Sequence, residues 1–256
     1  MLLLYKTTLA PALLWQRRRL RRTALRLPEP EGERHGVVPG DAARGVARIL
    51  VVGDSSAAGV GVAHQQQALA EPIAQALARR TGCEVHWQLA AQSGLDTVGA
   101  RAYVRTMHLH RADVIVGALG VNDVTAQRSA RRFIDEYQVL LRELRRRTRA
   151  RICVLSGVPP MHLLPAAPQP LRWYLGQCAR RLDQALQDFC AREGRLRYLP
   201  LDWAKGAEMA PDGFHPGPAQ YAQWAEMNAE AIARALVLPS CPEMTATGPS
   251  ATLPAG

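Results

Sequence analysis

The chain has 256 residues, of which 48% are hydrophobic and 21% charged, a balance that excludes a disordered or fibrous protein and is typical of a globular one. Its net charge is +10, but no zinc knuckle, basic zipper or RNA-recognition signature accompanies the arginine runs, so we expect no nucleic-acid partner. The 5 cysteines are widely spaced and form no CxxC pair, which argues against a disulfide framework or a metal site.

The N-terminal segment, residues 1–26, is apolar at first and then rich in arginine. Its positive charges follow the apolar part, and no small-residue cleavage site appears, so we do not expect a secretory signal. The apolar part contains Lys6 and Pro11 and is shorter than the ~20 residues that span a bilayer. Two alternatives stay open: a segment lying on an anionic membrane surface, or a helix docked on the protein's own body. We expect a cytoplasmic protein, with peripheral membrane contact as one alternative.

The composition also suggests where the folded domain begins and ends. Residues 29–44 are rich in proline, glycine and charge, which is typical of a linker. Residues 238–256 have little to bury and are predicted to be a disordered tail. We therefore expect an N-terminal segment and linker over 1–45, one domain over 46–237, and a tail over 238–256.

Within the predicted domain, short apolar runs alternate with segments of helical length. The runs predict five strands, at residues 48–52, 84–89, 113–119, 151–156 and 196–199. Strands that alternate with helices imply right-handed crossovers and a parallel sheet covered on both faces. The sequence thus predicts an α/β protein: a single three-layer α/β/α domain with a flavodoxin-like parallel sheet of about five strands.

Ligands of such sheets bind beyond the carboxyl ends of the strands, so the residues that follow each strand are the candidates for a site. The segment after the first strand has neither the lysine nor the glycine spacing of a phosphate-binding loop. It does carry Ser55, whose hydroxyl could act as a nucleophile if a base took its proton. Late in the chain, His215 is a candidate for that base, and Asp212 lies close enough to orient its ring.

Acyl transfer also requires hydrogen-bond donors for the anion that forms on the carbonyl oxygen. Gly94 follows the second predicted strand and offers a backbone N–H, while Asn122 follows the third and offers a side-chain amide. The N–H of Ser55 is the third candidate. Ser56 is interpreted as a hydrogen-bonding neighbour, and Asp54 as a residue that holds the loop.

These residues fall in four short blocks that occur in a fixed order along the chain. The blocks are Gly53-Asp54-Ser55, Ser93-Gly94, Gly120-Val121-Asn122-Asp123 and Asp212-Gly213-Phe214-His215. In this the chain resembles the SGNH hydrolase superfamily, also called the GDSL-type esterases and lipases. The resemblance implies that Ser55 is the nucleophile, that His215 and Asp212 complete a catalytic triad, and that Ser55, Gly94 and Asn122 form the oxyanion hole. Ser56 replaces the leucine of the family name, and Leu89 stands where an asparagine is often found.

By resemblance, we expect a serine esterase that needs no cofactor and hydrolyses carboxylic esters, with short-chain or lysophospholipid-like substrates. The apolar, proline-rich stretch of residues 157–173 follows the fourth predicted strand and could wall an acyl pocket. Three alternatives stay open: an acyltransferase with the same triad, a thioesterase, or a non-catalytic lipid- or membrane-binding protein with the same fold.

Overall fold

The computed structural model describes residues 9–236, and a six-stranded sheet lies at the centre of this part of the chain. The strands are β1 His35–Val38, β2 Val46–Gly53, β3 Glu84–Ala91, β4 Val114–Ala118, β5 Ile152–Ser156 and β6 Leu196–Leu199. They lie in the order β1-β3-β2-β4-β5-β6, with β1 antiparallel to β3 and the other five parallel. The five predicted strands are confirmed, and the parallel strands have the flavodoxin-like order.

Eight α-helices surround the sheet in the described part of the chain. They are α1 Ala10–Thr23, α2 Ser55–Ala58, α3 Ala70–Thr81, α4 Thr97–Thr106, α5 Val121–Thr125, α6 Ala130–Thr148, α7 Leu171–Arg192 and α8 Pro218–Leu236. One apolar cluster lies between the sheet and α4, α6 and α7, and a second lies between the opposite face and α3 and α8. The predicted three-layer α/β/α fold is therefore confirmed.

The central strands are covered on both faces, which explains why their sequences are continuously apolar. Every residue of β4 is buried, as are the last five residues of β2. Because these two strands are neighbours at the middle of the sheet, their carboxyl ends lie side by side, with Gly53 paired to Ala118. The loops that follow them are thereby brought to one edge of the sheet.

The structure differs from the sequence interpretation between residues 29 and 44. The composition of this stretch predicts a linker, but it contains β1, which adds a sixth strand to the expected sheet of about five. β1 is only four residues long and lies at the edge of the sheet, with His35 opposite Gln88. Its residues alternate between exposed and half-buried, so it has none of the continuous apolar character by which the other strands were recognised. The predicted tail, residues 238–256, and the first eight residues lie outside the described part of the chain.

The N-terminal helix α1 is docked on the outside of the protein, next to the start of α7. Leu13 is buried in the cluster beneath α6 and α7. The side chain of Gln16 donates to the carbonyl of Gln169 at 2.6 Å and accepts from the N–H of Leu171 at 3.0 Å. For residues 9–26, the described part of the N-terminal segment, docking on the protein's own body is what the structure shows. None of the helices within residues 9–236 has the length and apolarity needed to cross a bilayer.

The end of β2 provides a test of how tightly the sheet and the following helix pack. A Cβ atom added at Gly53 would lie 2.4 Å from the Ala118 carbonyl oxygen and 2.4 Å from the Ala57 Cβ. Because overpacking typically costs 1–3 kcal/mol, we expect Gly53→Ala to lower the free energy of unfolding by about 2 kcal/mol in urea denaturation. Gly194→Ala is the control, since a Cβ there meets nothing within 4 Å. Equal stability of the two variants would contradict this packing.

Candidate active site

Ser55 is the first residue of α2 and directly follows the turn that ends β2. The turn is fixed by Asp54, whose carboxylate accepts from the N–H of Ser56 at 3.0 Å as the N-terminal cap of α2. The absence of a side chain at Gly53 lets Ala57 approach the strand closely. The Ser55 hydroxyl is therefore presented at the carboxyl edge of the sheet, where the sequence predicted it.

Three of the predicted site residues are joined by hydrogen bonds. Ser55 Oγ lies 2.8 Å from Nε2 of His215, and Nδ1 of His215 lies 2.5 Å from Oδ2 of Asp212. The second carboxylate oxygen of Asp212 accepts from the backbone N–H groups of Phe214 at 2.9 Å and His215 at 3.1 Å. The ring of His215 is thus held between the carboxylate and the hydroxyl, each on its own nitrogen.

The electrostatics of Asp212 follow from these contacts. Burial alone would raise its pKa, but the hydrogen bonds from the His215 ring and from the N–H groups of Phe214 and His215 outweigh burial and lower the pKa below its usual value. Asp212 is therefore ionised at neutral pH. An ionised carboxylate at this position favours the His215 tautomer that carries its proton on Nδ1, which leaves Nε2 free to accept.

The loop that carries His215 is tied to the loop that carries Ser55. The phenolic hydroxyl of Tyr221, on α8, donates towards the carbonyl oxygens of Ser56 at 2.9 Å and Val60 at 2.8 Å. Tyr221 is fully buried, and burial raises its pKa well above the usual value, so it remains a neutral donor. Nothing in the sequence singles out Tyr221, because a tyrosine on an amphipathic helix has the pattern of an ordinary core residue.

The three predicted oxyanion donors also lie at this edge, although they differ in how they are held. The N–H of Gly94 donates to no other described residue, and its φ of +84° suits glycine. The N–H of Ser55 belongs to the first turn of α2 and has no acceptor within that helix. The Asn122 amide nitrogen donates to the Leu95 carbonyl at 3.0 Å and makes a long contact of 3.4 Å with Asp54.

The position of Asn122 is supported by a buried charged network below it. The carboxylate of Asp123 accepts from both the N–H and the hydroxyl of Thr97, at 3.1 and 2.9 Å. Arg128 forms ion pairs with Asp123 at 3.3 Å and with Asp96 at 2.6 Å. These contacts connect the loop after β4 to the start of α4, and so to the loop that contains Gly94.

Residues 29–44, the predicted linker, provide a second support for the Gly94 loop. The carboxylate of Glu29 accepts from the N–H of Ser93 at 2.7 Å and forms an ion pair with Arg34 at 3.0 Å. Arg34 in turn donates to the carbonyl of Ala91. Nothing in the sequence singles out Glu29 and Arg34, since charged residues in a segment rich in proline and glycine have no local pattern that distinguishes buried contacts from solvated side chains.

Asp54 is the most electrostatically perturbed carboxyl group at the site. It is almost fully buried, and burial raises its pKa to about 7, with the charge of nearby Asp123 acting in the same direction. Hydrogen bonds from the Ser56 N–H and the Asn122 amide oppose this rise without cancelling it. Burial likewise raises the pKa of Asp123 to about 6, against hydrogen bonds from Thr97. Two carboxyl groups behind the Ser55 loop therefore favour their neutral form more than ordinary aspartates do.

A small cavity of about 80 Å³ opens beside Ser55 and His215. Pro159, Met161 and Leu164 form part of its wall, so the apolar stretch after β5 lies where the sequence suggested. The indole rings of Trp203 and Trp224 contribute to the other side. The space next to the hydroxyl is apolar and suits a short hydrocarbon group.

Fold and geometry together define a class: a three-layer α/β/α protein whose serine, histidine and aspartate meet at the carboxyl edge of a parallel sheet. The comparison with protein families agrees, because residues 51–223 match the model of the GDSL-like lipase/acylhydrolase family. The match covers more than half of the chain. The chain belongs to the GDSL-like lipase/acylhydrolase family.

Similar proteins were found among both curated sequences and solved structures. A GDSL-like esterase of Mycobacterium tuberculosis is 29% identical over 197 residues, which is 70% of this chain and 59% of the relative, so the chain spans about three fifths of that relative's length. A carbohydrate acetylesterase family member from Sinorhizobium meliloti has a TM-score of 0.59 and 19% identity, covering 75% of this chain and 100% of the other. An inhibitor-bound M. smegmatis aryl esterase has a TM-score of 0.54 and 17% identity, covering 73% and 99%. At these identities the structures establish the shared fold.

The raised pKa of Asp54 predicts a pH dependence of stability. In the folded protein Asp54 keeps its proton up to about pH 7, whereas in the unfolded chain it ionises near its ordinary pKa of 3.8. The free energy of unfolding therefore decreases as pH rises from about 4 to about 7. Asparagine cannot ionise but retains the oxygen that caps α2. We expect the stability of Asp54→Asn, relative to the native protein, to increase across that interval when urea denaturation is repeated at several pH values.

The matched control is Asp135→Asn, since the Asp135 side chain is 66% exposed and lies on the outer face of α6. Its stability relative to the native protein should not change with pH over the same interval. Parallel stability curves for the native protein and Asp54→Asn would show that Asp54 is ionised in the folded protein throughout, contrary to the expectation.

Proposed function

We propose that the protein is a serine esterase that hydrolyses carboxylic esters through an acyl-enzyme intermediate. The observation that carries the proposal is the continuous hydrogen-bond chain from Asp212 through His215 to Ser55. A serine hydroxyl is a weak nucleophile by itself, and it becomes reactive when a neighbouring base accepts its proton during attack. The family membership of the chain supports the same reaction class.

In the proposed first half-reaction, Ser55 Oγ forms a bond to the ester carbonyl carbon while its proton passes to Nε2 of His215. The imidazolium that results is stabilised by the ionised carboxylate of Asp212. The tetrahedral intermediate collapses when His215 gives this proton to the departing alcohol oxygen, which leaves the acyl group on Ser55. Water then attacks the acyl carbon while His215 accepts a proton from it. The bond to Ser55 Oγ breaks, His215 returns the proton to this oxygen, and the carboxylic acid is released.

The negative charge on the carbonyl oxygen is the second requirement of the mechanism. The N–H groups of Ser55 and Gly94 have no acceptor among the described residues, so a substrate oxygen can be their partner. One N–H of Asn122 is committed to Leu95, while the other makes only the 3.4 Å contact with Asp54 and can turn to the oxyanion. The apolar cavity beside Ser55 is small, which favours a small group on one side of the ester.

Substitution of the nucleophile tests the proposal directly. We expect Ser55→Ala to lower kcat for p-nitrophenyl acetate by a factor on the order of 10⁴ with little change in stability, because the base remains but has no hydroxyl to activate. Ser56→Ala is the matched control and should retain activity within about tenfold, since its backbone N–H, not its hydroxyl, serves the turn. Equal rates for the native protein and Ser55→Ala would refute the esterase proposal. Added acceptor alcohols, followed by product analysis, distinguish hydrolysis from acyl transfer.

We also propose that the outer face of α1 makes peripheral contact with anionic membranes. Trp15 is 60% exposed, the highest exposed fraction among the large apolar side chains of the described residues. Arg19 stacks over the Trp15 ring at 5.4 Å, and Arg18 and Arg22 are exposed nearby. An exposed aromatic ring among arginines is the combination that favours the interface of an anionic bilayer.

Trp15→Ser tests this contact. Removing one large interfacial ring should reduce cosedimentation with phosphatidylglycerol-containing vesicles by about tenfold in partition coefficient. Val37→Ser, at an apolar residue on the edge strand β1 that is 52% exposed, should leave binding unchanged. Native binding that does not exceed binding to neutral phosphatidylcholine vesicles, or that is unaffected by Trp15→Ser, would exclude a membrane role for α1.

A further inference from the structure

A groove of about 540 Å³ lies between α1 and α7 and is also lined by Asn122 and Phe214. One face of α1 supplies a wall of this groove, through residues that recur at helical spacing. They are Ala10, Leu13, Leu14, Arg17, Leu20 and Arg21. Leu171 and Leu175 supply the facing wall from α7. The groove is therefore mainly apolar and exists only because α1 is docked at the start of α7.

The groove borders the candidate active site. Phe214 immediately precedes His215 and lines both the groove and the small cavity beside Ser55. Asn122, an oxyanion donor in the proposed mechanism, also lines the groove. An ester whose carbonyl lies at Ser55 has two arms, one acyl and one alcohol, and two apolar spaces lead away from this point. The small cavity suits the shorter arm, and only the groove has room for a long one.

The groove also carries positive charge, because two arginines of α1 line it. Arg17 is half-buried within the groove and forms no ion pair or hydrogen bond with a described residue, and Arg21 is exposed beside it. Other arginines of α1, such as Arg18 and Arg19, do not line the groove. An apolar channel with an unneutralised guanidinium complements a chain that carries a negative group.

We propose that the α1–α7 groove binds the longer, aliphatic arm of the ester substrate and that Arg17 recognises an anionic group on that arm. The proposal rests on the esterase activity proposed above and names the class of substrate: an amphipathic ester with one short arm and one long arm ending in a carboxylate or phosphate. The long arm can belong to the acyl or to the alcohol side, since the groove accepts either chain by the same contacts.

Chain-length series test the groove. One series varies the acyl chain in p-nitrophenyl esters from acetate to octanoate, and the other varies the alcohol chain in n-alkyl acetates. Burial of each methylene should raise kcat/KM by up to about fourfold in the series whose long arm enters the groove. Leu14→Ser should lower the ratio of long-chain to short-chain kcat/KM, whereas Leu25→Ser, at a residue of similar exposure that does not line the groove, should not change it.

The charge is tested with the carboxylated member of the preferred series, mono-p-nitrophenyl suberate or 8-acetoxyoctanoate, against its neutral counterpart of equal length. The native protein should prefer the carboxylated ester, and Arg17→Gln should reduce that preference about fivefold. Arg18→Gln is the matched control and should leave the preference unchanged, because Arg18 is exposed and does not line the groove.

The outcomes separate this inference from the proposed function. No Ser55-dependent hydrolysis of any ester means that the proposed function fails, and the inference fails with it. Hydrolysis of the short esters without a gain for long chains in either series overturns the groove alone. A gain for long chains that Leu14→Ser does not reduce, or a carboxylate preference that Arg17→Gln and Arg18→Gln change equally, also overturns it.

Discussion

The hydrogen bond between Ser55 Oγ and His215 Nε2 joins residues that are 160 positions apart, and the rest of the structure is arranged so that it can form. The parallel sheet supplies the first condition, because the carboxyl ends of its central strands lie side by side. Tyr221 supplies the second, since one buried hydroxyl contacts two carbonyl oxygens of the Ser55 loop from the helix that follows His215. A 2.8 Å contact is sensitive to small displacements, so both loops must be fixed on the same rigid body.

Much of the fold and site could be predicted because their signals are local. The buried strands are continuous runs of apolar residues, and the blocks around Ser55, Gly94, Asn122 and His215 directly follow strands or precede a helix. Other parts of the fold and site have no local signal, because they depend on contacts between distant segments. β1 forms because an edge strand needs only a partner for its backbone, and Glu29 matters because its carboxylate meets Ser93, 64 residues later. Neither leaves a periodic pattern in the chain.

The charges around the site are divided between two kinds of carboxyl group. Asp212 keeps its negative charge because three hydrogen bonds compensate its burial, and this charge faces the ring that becomes cationic in the proposed mechanism. Asp54 and Asp123 are buried behind the Ser55 loop, and their pKa values are raised to about 7 and about 6. Asp123 is paired with Arg128, whereas Asp54 has no cationic partner among the described residues. In the proposed mechanism, the raised pKa of Asp54 reduces the negative charge that this side chain brings close to the oxyanion donors.

The two proposed roles of α1, lining the substrate groove and contacting a membrane, belong to different faces of the helix. Helix geometry explains why the two roles do not compete. Leu13, Arg17 and Leu20 recur at helical spacing and face α7, whereas Trp15 and Arg19 point to solvent. Leu13 and Gln16 hold the helix against the domain. A surface that binds Trp15 can therefore do so without undocking α1, and the groove keeps its wall during that contact. A lipid surface and a substrate groove would then share one helix, which places an amphipathic ester close to the entrance of the groove as it leaves the surface.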